Sequence, residues 1–137
     1  MLFPRIIPCL LIKDKGLVKT VNFKKYKYIG DPLNAVKIFN EKSVDELIVL
    51  DIDASVANQD PNYNLIANIA MECQMPLCYG GGIKTKDQAL KILGMGVEKI
   101  ALSSALIKNP VLASEIAMTA GSQSLVLVID VKKRKFS

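Results

Sequence analysis

Cys78-Tyr79-Gly80-Gly81-Gly82-Ile83 is the stretch from which the fold can be read. Met75 to Tyr79 is a short apolar run, the pattern of a buried strand. Three glycines follow it, and Thr85 then opens a helical pattern with Gln88 three residues on, a capping box. A strand, a glycine turn and a helix start make an anion site, because glycine lets backbone N–H groups approach an oxyanion and the helix dipole favours negative charge. The same triplet also fits a tight strand-to-helix turn that needs glycine only for its backbone angles.

Working outward, the same strand-then-helix unit recurs. Arg5-Ile6-Ile7-Pro8-Cys9-Leu10-Leu11-Ile12 is a near-continuous apolar run, as in a strand buried on both faces. Lys13 to Tyr28 is a long basic loop with room for a small hairpin. Asp31-Pro32 and Asp60-Pro61 are helix starts, the aspartate as N-cap and the proline at the first helical position. Glu46 to Asp51, Lys99 to Leu102 and Ser124 to Asp130 are the remaining strands. Helices run to about Lys42, Cys73 and Leu93, the last with Gly94 as a C-cap candidate, and from Asn109-Pro110 to Ala120. The order is βαβαβαβαβ, which predicts a parallel sheet with right-handed crossovers. Lys13, Asp51, Gly80, Ser103 and Asp130 each follow a strand, so they should line one edge of the sheet, where α/β proteins place their sites.

Composition narrows the class. The chain has 137 residues, enough for a single domain spanning 1–137, and half are hydrophobic with 23% charged, the balance of a folded protein. No apolar run is long enough for a membrane span, and the N-terminus lacks the layout of a signal peptide, so a cytoplasmic protein is expected. The net charge of +5 gathers partly in Lys24-Lys25-Tyr26-Lys27 and Lys132-Lys133-Arg134-Lys135. With only four Tyr and four Phe, a stacking platform for nucleic acid is not expected. Three cysteines, Cys9, Cys73 and Cys78, do not make a disulfide framework, and Cys9 and Cys78 read as small buried hydrophobes. Histidine is absent, which excludes His-based triads and zinc sites. Neither a metal nor a cofactor is expected.

With these elements placed, the sequence resembles the first half of the HisF family, the cyclase (synthase) subunit of imidazole glycerol phosphate synthase. The resemblance is carried by Arg5-Ile6-Ile7-Pro8-Cys9-Leu10, Val18-Lys19, Asn22-Phe23, Gly30-Asp31-Pro32, Asp45-Glu46-Leu47, Leu50-Asp51-Ile52, Ala54-Ser55, Gly80-Gly81-Gly82-Ile83 and Gly121-Ser122-Gln123. It implies a (βα)4β half of a TIM barrel of the ribulose-phosphate-binding type; an open flavodoxin-like sheet is the alternative. It also implies a phosphorylated small-molecule substrate and ammonia from a HisH-like glutaminase partner docked at the bottom face. Matching positions make Gly81, Gly82, Ser103 and Ser104 a phosphate site, with Asp51 beside the substrate and Lys19 as the flexible-loop lysine over it. Arg5, Glu46 and Lys99 match the charged gate at the ammonia entrance, which could equally be a salt-bridge cluster closing the barrel floor. Asp130 matches one of two catalytic aspartates.

The departures from the family pattern are informative. The other catalytic aspartate aligns with Leu11, which cannot donate or accept a proton. Ser103-Ser104 stands where Asn-Thr is typical, a mild change. Leu10-Leu11-Ile12 and the lysine-rich Phe23-to-Tyr28 stretch are more similar to HisF-like paralogues of surface-polysaccharide (lipopolysaccharide) gene sets, thought to pass ammonia to a separate sugar amidotransferase. The expectation is therefore an ammonia-supplying paralogue; the alternatives are a histidine-pathway cyclase-lyase and a non-catalytic phosphate-binding fragment. Five strands cannot close an eight-stranded barrel. Self-association is expected, with Ile7, Cys9, Val49 and Leu77 on the uncovered side and open edges at the first and fifth strands.

Overall fold

A computed structural model describes residues 3–21, 24–54, 59–131 and 133, without the side chains of Ser104 and Leu106. Asn22, Phe23, Ser55 and most of the basic tail lie outside them. One seven-stranded sheet organises the chain. Its parallel part comprises β1 (Cys9–Lys13), β4 (Leu47–Asp51), β5 (Leu77–Gly80), β6 (Lys99–Leu102) and β7 (Leu125–Leu127). An antiparallel hairpin, β2 (Gly16–Val21) and β3 (Lys25–Gly30), adds to the free side of β1. The sheet order is β3-β2-β1-β4-β5-β6-β7.

That order decides the architecture. The parallel strands stand side by side in the sequence in which they occur. Right-handed crossovers then lay every helix on the same face. A flavodoxin-like sheet needs a reversal of strand order to place helices on both faces, and none occurs. The chain is the mostly parallel half of a TIM barrel.

The helices are α1 (Pro32–Lys42), α2 (Tyr63–Glu72), α3 (Lys86–Leu93), α4 (Ser104–Lys108) and α5 (Val111–Ala120). The α1 start is as expected: Asp31 Oδ1 accepts from the Leu33 amide at 3.2 Å, with Pro32 at the first helical position. The α3 start is the expected Thr85–Gln88 capping box. The α2 start differs. Its N-cap is Asn62, whose side chain accepts from Leu65 N, while Asp60 instead accepts from Gln88 Nε2 at 3.1 Å. The sequence pattern gives no sign of the short α4.

The phase of the strands corrects the expectation about which side chains lie uncovered. Leu10, Ile12, Leu47, Val49, Leu77, Tyr79, Ile100 and Leu102 pack with Val36, Ile66, Ile69, Ala89, Ile92, Leu112 and Ile116 in one core beneath the helices. Val49 and Leu77 are thus covered. The alternate positions form the other face, where the register sets Cys9 beside Ile48 and Cys78, and Leu11 beside Leu50, Gly80, Ala101 and Val126. Cys9 is exposed there, contrary to its reading as a buried hydrophobe, whereas Cys78 is buried. The fifth expected strand, β7, is an open edge as expected, but the first is not, because β2 pairs with β1 over Leu11–Lys13 and moves that edge to β3.

Tyr79 is an exception within the core. It is 3% exposed, and among the described residues its hydroxyl has no hydrogen-bond partner. Burial pushes the phenol pKa up, reinforced by Asp51. Removing an unsatisfied group relieves its desolvation cost. Tyr79→Phe is expected to leave stability unchanged or raise it by up to about 1 kcal/mol, read from the midpoint of urea unfolding. A clear loss would mean that the hydroxyl is bonded in solution.

Candidate functional site

All five parallel strands deliver residues to one cleft of ≈ 260 Å³ at their carboxyl ends. Leu11 comes from β1, Asp51 from β4, Gly80 to Gly82 from the end of β5, Ser103 from the end of β6, and Val128 with Asp130 from beyond β7. A parallel sheet exposes its strand ends together, so residues far apart in sequence converge here.

The glycine turn is built against β4. Gly81 has φ +122°, and a β-carbon there would run into the Asp51 carbonyl. Gly82 has φ +73°, and its β-carbon would meet Ala54 Cβ and Gln59 O, both at 3.0 Å. The two glycines therefore serve close packing against the β4–α2 loop as well as backbone conformation. Asp51 holds that loop from the other side, its Oδ1 accepting from the Asp53 and Ala54 amides, each at 3.0 Å. Its carboxylate is fixed at the cleft wall by the turn it makes. The start of α3 is less available than expected: Gln88 Oε1 already takes the Lys84 and Thr85 amides at 2.7 and 3.2 Å. Ser103 precedes α4 but makes no capping bond to it, and it lines the cleft half-buried.

Lys19 lies outside this grouping. It is exposed on β2 opposite Lys27, with its side chain on the face away from Val18 and Leu11. The backbone of Ser104 is the first turn of α4. Arg5, Glu46 and Lys99 meet at the opposite end of the sheet. Glu46 Oε1 is 2.6 Å from Arg5 and 3.7 Å from Lys99. Among the described residues of the parallel strands, Cys9, Ile48, Cys78 and the Leu11–Val126 row lie on the open face between this cluster and the cleft, an apolar wall. Burial pushes the Cys78 thiol up to about 11, against the opposing pull of Lys99, so it is neutral and a poor nucleophile near pH 7.

The cleft lining that sequence reasoning passed over is apolar: Leu50, Ile52, Ala101 and Val128. Leu50 and Ala101 are the cross-strand neighbours of Leu11 and Gly80, a pairing for which strands apolar on both faces carry no local signal. Among the described residues no cluster suits a metal ion, and no helix is long and apolar enough to cross a membrane.

A family model described as "Histidine biosynthesis protein" matches residues 5–137. The "Putative imidazole glycerol phosphate synthase subunit hisF3" of Vibrio vulnificus is 61% identical over 136 residues, covering 99% of this chain and 52% of the relative. The "Putative imidazole glycerol phosphate synthase subunit hisF2" of Pseudomonas aeruginosa is 61% identical over 129 residues, covering 94% and 51%. The "Imidazole glycerol phosphate synthase subunit HisF" of Lactococcus lactis is 43% identical over 134 residues, covering 98% and 52%. The chain spans about half the length of the curated relatives it matches.

Proposed function

Because the chain belongs to the histidine biosynthesis protein family, we propose that it is the first half of a cytoplasmic HisF-like synthase subunit of the kind that supplies ammonia to another enzyme. The observation that carries this reading is Leu11. It occupies the first strand's place in the cleft, across from Asp130, where a cyclase would need its second carboxylate. In this reading a HisH-like glutaminase docks at the end of the sheet that carries Arg5, Glu46 and Lys99. Ammonia, uncharged, crosses the apolar wall between that cluster and the cleft, and a sugar amidotransferase receives it. The presence of Asp130 in the cleft keeps the histidine-pathway cyclase-lyase as the second reading.

The cleft holds the phosphate of a phosphorylated small molecule, with the Gly81–Gly82 backbone and the Ser103 hydroxyl as donors. The test of this part is Ser103. Gly82→Val is a poor probe, because its side chain would enter the β4–α2 loop rather than the cleft. Ser103→Ala removes a hydroxyl that no capping bond uses. A hydrogen bond to a charged group contributes roughly 1.5–3 kcal/mol. Affinity for inorganic phosphate, measured by calorimetry, is therefore expected to fall about ten- to a hundred-fold. Unchanged affinity would remove Ser103 from the site.

A further inference from the structure

The hairpin beside the cleft carries an aromatic surface that the phosphate site does not use. The register places Leu11, Val18 and Tyr28 in one row across β1, β2 and β3, and Lys13 opposite Gly16, so these residues share the open face of the sheet. The Tyr28 ring rests on Gly16: a β-carbon there would lie 2.9 Å from Tyr28 Cδ1. Its hydroxyl donates to Asp14 Oδ2 at 3.4 Å. Lys13 Nζ stands 3.7 Å above the centre of the Tyr26 ring, on the next position of the same strand face. Tyr28 is nonetheless 56% exposed and Tyr26 41% exposed. A ring fixed on one side by glycine backbone and held at its hydroxyl, with its remaining surface open, is preorganised for stacking, and planar rings stack on such surfaces.

We propose that Tyr28, flanked by Tyr26 and Lys13, is a second subsite that stacks a planar ring at the far end of an elongated phosphorylated ligand. This rests on the reading of Gly81–Gly82 and Ser103 as the phosphate cradle. From β5 to β3 is four strand steps, β5 to β4 to β1 to β2 to β3, or about 19 Å along the sheet. The sheet of a half-barrel is curved, so the straight line between the two places is shorter than this arc, and it suits a ligand of about nucleotide length with its phosphate at one end and its ring at the other. Lys13 places a positive charge beside the ring, which suits a ligand that carries further anionic groups between its ends.

Adenine nucleotides of graded length test this, each against the matching inorganic anion: AMP with phosphate, ADP with pyrophosphate, ATP with tripolyphosphate, all without divalent metal. The ring is expected to add about five- to a hundred-fold in affinity at the length that spans the cleft. Tyr28→Ala should abolish that gain and leave affinity for the inorganic anions as it was, Tyr28→Phe should keep the gain, and Gly16→Ala should reduce it by lifting the ring. If adenine adds nothing at any length, or its gain survives Tyr28→Ala, the subsite is wrong and the cradle stands. If none of the inorganic anions binds, the cradle is wrong and the subsite falls with it.

Discussion

A complete barrel carrying this first half is expected to form the imidazole product about 10²–10⁴-fold more slowly than the same barrel with the Leu11→Asp substitution. Ring closure needs one group to give a proton and another to take one. No histidine lies in residues 1–137, so a pair of carboxylates is the means this half can offer, and the cleft holds Asp130 but sets Leu11 where the first strand would supply its partner. Asp14 is no substitute. It sits in the turn after β1, accepts the Tyr28 hydroxyl and faces a separate cavity shared with Asp53 and Asp60. The measurement is the cyclase rate with ammonium salt as nitrogen source, in a fusion of residues 1–137 to the second half of the Vibrio vulnificus relative. Leu11→Asp should raise the rate, whereas Leu11→Asn, similar in shape but unable to exchange the proton, should not. Growth of a histidine auxotroph on the unsubstituted fusion, as fast as on its Leu11→Asp variant, would sink the proposal and favour the cyclase-lyase.

What the sequence disclosed depended on whether polar residues marked the phase. Helix starts carried local chemistry, so Asp31-Pro32 and Thr85…Gln88 fell where expected. The carboxyl ends of the strands carry polar or glycine residues, so Asp51, Gly80 to Gly82, Ser103 and Asp130 fall at one edge from the sequence pattern alone. The parallel strands themselves are apolar on both faces. Such a run has no polar alternation to say which residues meet the helices, and a one-residue slip exchanges the faces. For that reason the apolar pattern alone puts Val49 and Leu77 on the uncovered side, which Ile48 and Cys78 hold instead. The hairpin was obscured differently. In Lys25-Tyr26-Lys27-Tyr28 the alternation is of lysine with tyrosine, and every residue of β3 is exposed, so no apolar signal distinguished a strand from a basic loop. Lys19 resembled a substrate-covering residue by position alone. Which face of β2 it occupies follows from pairing with β1, which is tertiary information.

The isolated 137-residue chain is expected to be a dimer or larger at low micromolar concentration. One face of its sheet is covered by helices, and the other presents Leu11, Ile48, Leu50 and Val126, all partly exposed, beside the small Gly80 and Ala101. A contiguous apolar patch of roughly several hundred Å² drives association in water. Among the described residues, the outer edge of β7 adds unpaired backbone groups to it. The form of the assembly is less regular than two halves making one barrel. Each copy brings five parallel strands, so a pair brings ten, and a barrel of eight has a fixed strand number and stagger. In a two-fold pair, β7, only three residues long, is the strand that must give way. Ile48→Glu places a charge at the centre of the patch without touching the helix-facing core, and should shift the population toward monomer. Cys9, exposed on the same face, supplies an independent readout: its reaction with a thiol reagent should slow as protein concentration rises, and Ile48→Glu should restore it. Light scattering decides the matter. A single species near 15.0 kDa that unfolds cooperatively, with Cys9 equally reactive at every concentration, would show that the uncovered face is stable in water and that burial of the patch is not what holds this half-barrel together.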